Sequence, residues 1–328
     1  MRTSAGPTSS IAAEAGGAAK LRVGFIVGPT GSGKSAFAME IAPPLGAEIV
    51  NADSRQFYRG MDLGTAKPSE DDRRRVPHHL IDVRDADDPL DVADFAAMAH
   101  AAIADVARRG ARPIVVGGSG LYLRVLRNGI FKGPAASMDI RRKYAKIADE
   151  LGVAYLHDHL REIDPEAAAR IGVNDLFRIT RALEVFELTG ETITAHHGRH
   201  RFADTEYDAL TVGVEVERKR LYESIDARFD AMIAAGLIEE VRRLMEAGQA
   251  SERSRLSTIG YRQMAAYLRG EIALAEAIAL AKRDSRRLAK RQLTWFRAQP
   301  EIVWLDARRG SQDALALFEN FFGERGEL

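Results

Sequence analysis

The octapeptide Gly28-Pro29-Thr30-Gly31-Ser32-Gly33-Lys34-Ser35 fits the pattern G-x-x-x-x-G-K-[ST]. It follows a short apolar run, Leu21–Val27, and opens a stretch of helical spacing. In that context the glycines let successive backbone N–H groups wrap a phosphate, whose charge faces a helix N-terminus. Lys34 adds a point charge to the terminal phosphate, and the Ser35 hydroxyl can hold Mg²⁺. The loop therefore calls for a di- or triphosphate without saying what is transferred. Two further polar clusters end apolar runs: Asn51-Ala52-Asp53 after Ala47–Val50, and Gly117-Gly118-Ser119-Gly120 after Pro113–Val116. A phosphate-loop motor or switch also ends a strand in a metal-holding Asp. Here the run from Ile114 to Val116 ends in glycines. Asp82 is a poor substitute, because Leu80-Ile81-Asp82 follows Pro77-His78-His79 in an acidic loop. This pattern favours a transferase that holds a leaving diphosphate.

These residues need a scaffold. Leu21–Val27, Ala47–Val50, Pro113–Val116 and Thr211–Val216 read as strands, and Ser35–Ile41 and Asp94–Arg109 read as helices between them. Pro43-Pro44 should stop the first helix, and Gly110 the second. Alternating strands and helices imply an α/β fold: a phosphate-loop parallel sheet with helices on both faces. Ligands in such sheets bind at the carboxyl ends of the strands. From Met138 to about Arg199 only helical periodicity is present, as in Leu176, Ile179, Leu183 and Phe186. Residues 132–205 are thus expected to form an all-helical insertion in a core made of 21–131 and 206–328. A helical C-terminal region follows, with helices over Leu221–Ala235, Leu237–Ala247, Tyr261–Leu268 and Ile272–Arg297, and the chain closes in a short polar tail. Residues 1–20 are small and polar, and are expected to form a disordered tail.

Composition excludes several classes. There is no cysteine in 328 residues, so no disulfide framework, thiolate zinc site or Cys nucleophile. No apolar run approaches the ~18 residues of a membrane helix, and no secretory signal is present, so a cytoplasmic protein is expected. His196, His197 and His200 have no carboxylate at helical spacing and are not expected to hold a metal. Lys+Arg and Asp+Glu balance at 47 each, but the balance hides a segregation. Lys282–Arg297 contains seven basic residues against Asp284 alone, and Arg283, Arg287, Arg291 and Thr294 recur on one helical face. Such a stripe fits a polyanion such as RNA.

Seven blocks together resemble the tRNA dimethylallyltransferases, also called tRNA isopentenyltransferases. They are GPTGSGKS, NADSRQFYRGMDLGTAKP, PHHLIDV, PIVVGGSGLYLRVL, NDLFRITRALEVFELTG, IGYRQM and AKRQLTWFR, in family order from residue 21 to about 306. The resemblance implies transfer of a dimethylallyl group from dimethylallyl diphosphate to N6 of adenosine 37, beside the anticodon, in tRNAs reading codons that begin with U. It implies Mg²⁺ as cofactor and a monomer. It makes Asp53 the general base, which chemistry supports, since an adenine amine is a poor nucleophile. A metal ligand or a helix cap is the alternative for Asp53. Ser119 stands where the family has a threonine at the reacting centre, and keeps the hydroxyl. Arg218 resembles a diphosphate-binding arginine, and Ser224 stands where the family has another. The resemblance also implies tRNA contacts at Asp53, Ser54, Arg55, Gln56 and Ser119, and at Arg141, Phe177, Arg178, Ile179, Thr180 and Arg181 around the insertion. Further contacts are implied at Thr258, Ile259, Gly260, Tyr261 and Arg262, and at Lys290, Arg291, Gln292, Thr294 and Arg297. The rival readings are an adenylate isopentenyltransferase, a phosphate-loop kinase of small molecules, and a non-catalytic RNA-binding switch.

Overall fold

The computed structural model describes residues 20–88, 90–129, 133–134, 136–200, 207–248 and 255–323. The expected disordered tail lies outside them, Lys20 excepted, as do the His197 and His200 side chains. Among the described residues six parallel strands form one sheet: β1 (Leu21–Val27), β2 (Ala47–Asn51), β3 (His78–His79), β4 (Arg112–Gly117), β5 (Tyr207–Glu215) and β6 (Val303–Asp306), in the order β3-β2-β4-β1-β5-β6. β1 lies between β4 and β5, and Val23–Val27 are buried throughout, which explains the unbroken apolar run. Register sets the site. Val27 pairs with Gly117 and Asn51 with Val116, so the phosphate loop, the Asp53 cluster and the Ser119 cluster leave the sheet side by side.

Side chains alternate along the strands. Phe25 and Val27 pack on one face with Phe95, Ile103, Leu123 and Phe296. Ile26, Ile114 and Val212 pack on the other with Phe37, Ile41 and Phe318. Helices therefore cover both faces, as expected. Lys34–Leu45 runs through Pro43 and Pro44, which the sequence reading took as its stop. Both prolines sit in its last turn. Pro43 has no N–H for the carbonyl of Met39, and Arg75 Nη2 donates to that carbonyl instead, at 2.9 Å. A larger correction lies at the C-terminus. The supposed polar tail contains a helix, Gly310–Gly323, whose Ala314 and Phe318 are fully buried. A Cβ on Gly24 would stand 2.8 Å from the Phe318 ring, so β1 is shaped to receive it. Burying one such ring contributes about 1.5–3 kcal/mol.

The helices Met138–Leu151, Val153–Ile163, Pro165–Arg170, Leu176–Thr189 and Ile193–His200 follow the GGSG strand and its helix, Gly120–Asn128. The first four enclose a core of their own around Tyr144, Leu156, Leu160, Ile179 and Leu183. After β5 come Arg218–Ala234, Leu237–Glu246, Tyr261–Leu268 and the 24-residue Leu274–Arg297. No described helix is long and apolar enough to cross a membrane.

Candidate active site

The phosphate loop is held open from outside. Gly31 and Gly33 both have φ 83°, the left-handed region that suits glycine. The Thr30 N–H donates to Gln292 Oε1 at 2.8 Å, and Arg228 Nη2 donates to Thr30 Oγ1 at 2.6 Å. Ser224 Oγ donates to the Gly31 carbonyl at 3.1 Å. Gln292 Nε2 also donates to the Gly118 carbonyl at 2.9 Å, so one amide bridges the phosphate loop and the Gly117–Gly120 loop. Gly118 permits this approach, because a Cβ there would lie 2.8 Å from Gln292 Nε2 and 3.5 Å from Lys34 Nζ. Within the cradle, Ser32 Oγ is buried and has no hydrogen-bond partner among the described residues. A buried hydroxyl in that state fits a phosphate oxygen as its partner.

Asp53 follows β2. Its N–H donates to Asn51 Oδ1 at 3.0 Å, and Asn51 Nδ2 donates to the Leu80 carbonyl at 3.0 Å, which fixes the turn. Asp53 Oδ1 accepts the Arg55 N–H at 3.0 Å, leaving Oδ2 without a donor among the described residues. The Ser54 N–H donates to Ser119 Oγ at 3.2 Å, so the Ser119 hydrogen remains available to another acceptor. Lys34 and Arg228 both lie within electrostatic reach of Asp53. Burial pushes the Lys34 ammonium below its ordinary range. Asp53 opposes that shift and Arg228 adds to it. Burial likewise lowers Arg228, again opposed by Asp53. Two cations and one carboxylate thus converge at the mouth of a phosphate cradle.

The donors fit Mg²⁺. Ser35 stands exposed in the first turn of its helix and can offer its hydroxyl oxygen. Mg²⁺ on a diphosphate needs only one or two such oxygen ligands. Asp82 is not a ligand candidate. Its oxygens accept from Lys67 Nζ at 2.5 Å and Arg73 Nη1 at 2.8 Å.

The IPP transferase family model matches residues 56–299. The chain is 51% identical to a tRNA dimethylallyltransferase of Geobacter metallireducens over 88% of this chain and 93% of that one. A crystal structure of a tRNA isopentenylpyrophosphate transferase from Bacillus halodurans aligns with 37% identity and a TM-score of 0.69, covering 93% of this chain and 98% of that one. A structure of a eukaryotic dimethylallyltransferase acting on tRNA aligns with 27% identity and a TM-score of 0.79, over 93% and 80%. The chain belongs to the IPP transferase family.

The residues expected from the family divide by location. Phe177, Arg178, Arg262, Lys290, Arg291, Thr294 and Arg297 are exposed. Ser54, Arg55, Ser119 and Ile259 are half-buried. Arg141 and Arg181 both bind the fully buried Glu184 carboxylate, at 3.1 and 2.6 Å. Ile179 and Tyr261 have no exposed surface, and Thr180, Thr258 and Gln56 have little. These side chains face the interior rather than solvent. The Tyr261 hydroxyl donates to Glu240 at 2.5 Å, and Gln56 Nε2 donates to the Thr65 and Ala66 carbonyls. Glu240 accepts the N–H groups of Asp62, Leu63 and Gly64 as well, clamping the DLGTAKP loop.

Arg218 makes no hydrogen bond to the phosphate loop. Its guanidinium lies over the Tyr222 ring, and both line a cleft of ≈ 170 Å³ with Lys290, Leu293, Thr294 and Arg297. Arg228 is the arginine that touches the loop, and the sequence reading missed it. The available signal was helical spacing: Leu221, Ser224, Ile225 and Arg228 share one face, and a Cβ on Gly31 would lie 2.5 Å from Ile225.

Proposed function

We propose that this chain transfers the dimethylallyl group of dimethylallyl diphosphate to N6 of adenosine 37 in tRNAs reading codons that begin with U, as a cytoplasmic monomer. The observation that carries the reading is the convergence of Asp53, Lys34 and Arg228 beside an unpartnered Ser32 hydroxyl in the phosphate cradle. The diphosphate lies in the cradle against Lys34, Arg228 and the loop N–H groups. These donors gain most as the bridging oxygen takes up negative charge, so they stabilise the transition state over the ground state. Mg²⁺ held by Ser35 supplies further neutralisation of that charge when bound. The N6 lone pair attacks the allylic C1. The C1–O bond breaks with its electrons going to diphosphate, and an N6 proton passes to Asp53 Oδ2. Ser119, tied to Ser54, orients the acceptor.

The adenosine must leave the anticodon-loop stack to reach this centre. Exposed Arg283, Arg287 and Arg291 grip the RNA backbone, while exposed Phe177 offers a stacking face from the helical insertion at 132–205. The test incubates the protein with Mg²⁺, labelled dimethylallyl diphosphate and either unmodified tRNA or AMP. Label should enter only tRNA; label in AMP alone would overturn the reading. Asp53→Ala should lower the rate by roughly 10²–10⁴-fold, the range of a lost general base, with tRNA binding intact. A variant at wild-type rate removes Asp53 from the chemistry.

A further inference from the structure

Asp284 is the one acidic residue between Lys282 and Arg297. It faces inward on a helix whose neighbouring cations sort into two sets. Lys282 and Arg286 turn toward Arg218–Ala234 and pair with Asp230 and Asp226, at 2.6 Å each. Arg283, Arg287 and Arg291 turn outward. The Asp284 side chain is only 11% exposed. Its Oδ2 accepts from Arg262 Nη2 at 2.5 Å and from Gln263 Nε2 at 3.0 Å. Its Oδ1 accepts from Arg283 Nε at 3.1 Å, and Arg287 Nη1 stands 3.8 Å from the same oxygen. Gln263 is buried, and its Oε1 accepts the Gly260 N–H at 2.8 Å, so the carboxylate is anchored to the turn before Tyr261–Leu268. Burial works against the ionised carboxylate, but the hydrogen bonds from Arg262 and Arg283 outweigh it and hold the group below the usual range.

The arrangement is a buried anion beneath three half-exposed guanidiniums from two helices. Without it, Arg262, Arg283 and Arg287 would repel one another and sample many rotamers, and each would lose that freedom on meeting a ligand. We propose that Asp284 is a positioning residue that pre-sets Arg262, Arg283 and Arg287 as one receptor for the phosphates of the RNA substrate. This rests on the reading of the outward face of Lys282–Arg297 as the RNA surface.

Charge counting and positioning predict opposite signs. Asp284→Asn adds one positive charge to a surface that binds a polyanion, so charge alone tightens binding. Positioning weakens it. The experiment measures tRNA affinity of the full chain by filter binding over a salt series, beside steady-state kinetics. For Asp284→Asn the Kd and KM for tRNA should rise about tenfold, the order expected when one or two long side chains must be ordered on binding. The salt slope should hold, because the arginines remain, and kcat and the KM for dimethylallyl diphosphate should stay at wild-type values. A Kd that falls or does not change overturns the proposal. A second measurement covers a destabilised variant. Arg262→Ala should cost less affinity in the Asp284→Asn background than in the wild type, and fully additive losses overturn the proposal. Arg291→Ala tests the face separately. It does not touch Asp284, and it should lower both affinity and salt slope; if neither moves, the RNA surface lies elsewhere and both readings fall.

Discussion

Replacing Gln292 with Ala removes both hydrogen bonds of the bridge between the phosphate loop and the Gly117–Gly120 loop. The Thr30 N–H and the Gly118 carbonyl are left in a half-buried seam. At about 1 kcal/mol for each net hydrogen bond the loss is about 2 kcal/mol. Referred to the transition state, that is roughly 30-fold in kcat/KM for dimethylallyl diphosphate. Gln292→Glu sharpens the test. Glu keeps the volume and the acceptor for Thr30, but it turns an oxygen toward the Gly118 carbonyl and puts a negative charge within about 6 Å of Lys34 Nζ, where the diphosphate is held. Two unit charges at ~6 Å and an effective dielectric near 20 interact by about 3 kcal/mol. A steric role makes Glu the milder variant; the electrostatic role makes it the worse one, by roughly a further hundredfold. Initial rates with dimethylallyl diphosphate varied at saturating tRNA, then with tRNA varied, separate the two. Thermal unfolding controls for folding. If Gln292→Ala raises only the KM for tRNA and leaves kcat/KM for the diphosphate unchanged, the bridge is not what this residue contributes.

Two further outcomes follow from the geometry. Arg228→Ala deletes a charge-assisted donor beside the phosphate loop, so the KM for dimethylallyl diphosphate should rise by about 1.5–3 kcal/mol, roughly 10- to 150-fold, while Arg218→Ala should change it far less; kinetics on the pair decides between them. Burial alone would raise the Glu184 carboxyl, but hydrogen bonds from Arg181, Arg141 and the Ser137 N–H hold it low. A carboxylate lowered by folding stabilises the fold above the unfolded value near 4.3, and that contribution disappears as pH falls through the folded value. Melting temperature followed from pH 6 to pH 3 should therefore drop less steeply in Glu184→Gln, which starts lower, than in the wild type.

The phosphate loop was legible because its chemistry is local: eight residues fix the turn, the charge and the helix start. The parallel sheet was legible because β1, β2 and β4 are buried on both faces and read as apolar runs. β3 was not, since two histidines carry no periodic signal, and their pairing to β2 depends on register. The Gly310–Gly323 helix was hidden because its buried positions are few, and only the gap over Gly24 explains why Phe318 is there. Arg228 was missed for a related reason. It lies ten residues into the helix that Arg218 begins, and only the packing of Ile225 on Gly31 brings Arg228 to the loop. The buried carboxylates Glu184, Glu240 and Asp284 look like solvated charges in sequence, because part of each one's partner set comes from elsewhere in the fold. Arg141 lies 43 residues from Glu184 and Arg262 lies 22 from Asp284.

The Glu240 clamp has a consequence for the newborn chain. The amides it holds, beginning at Asp62, precede it by 178 residues. At a synthesis rate of roughly 5–20 residues/s, the DLGTAKP loop waits on the order of 10–35 s for the carboxylate that fixes it. For most of that interval β1 lacks β5 beside it, and the phosphate loop lacks Gln292, which is made later still. Assembly of the catalytic centre is therefore a late event, gated by translation of the helices that follow β5.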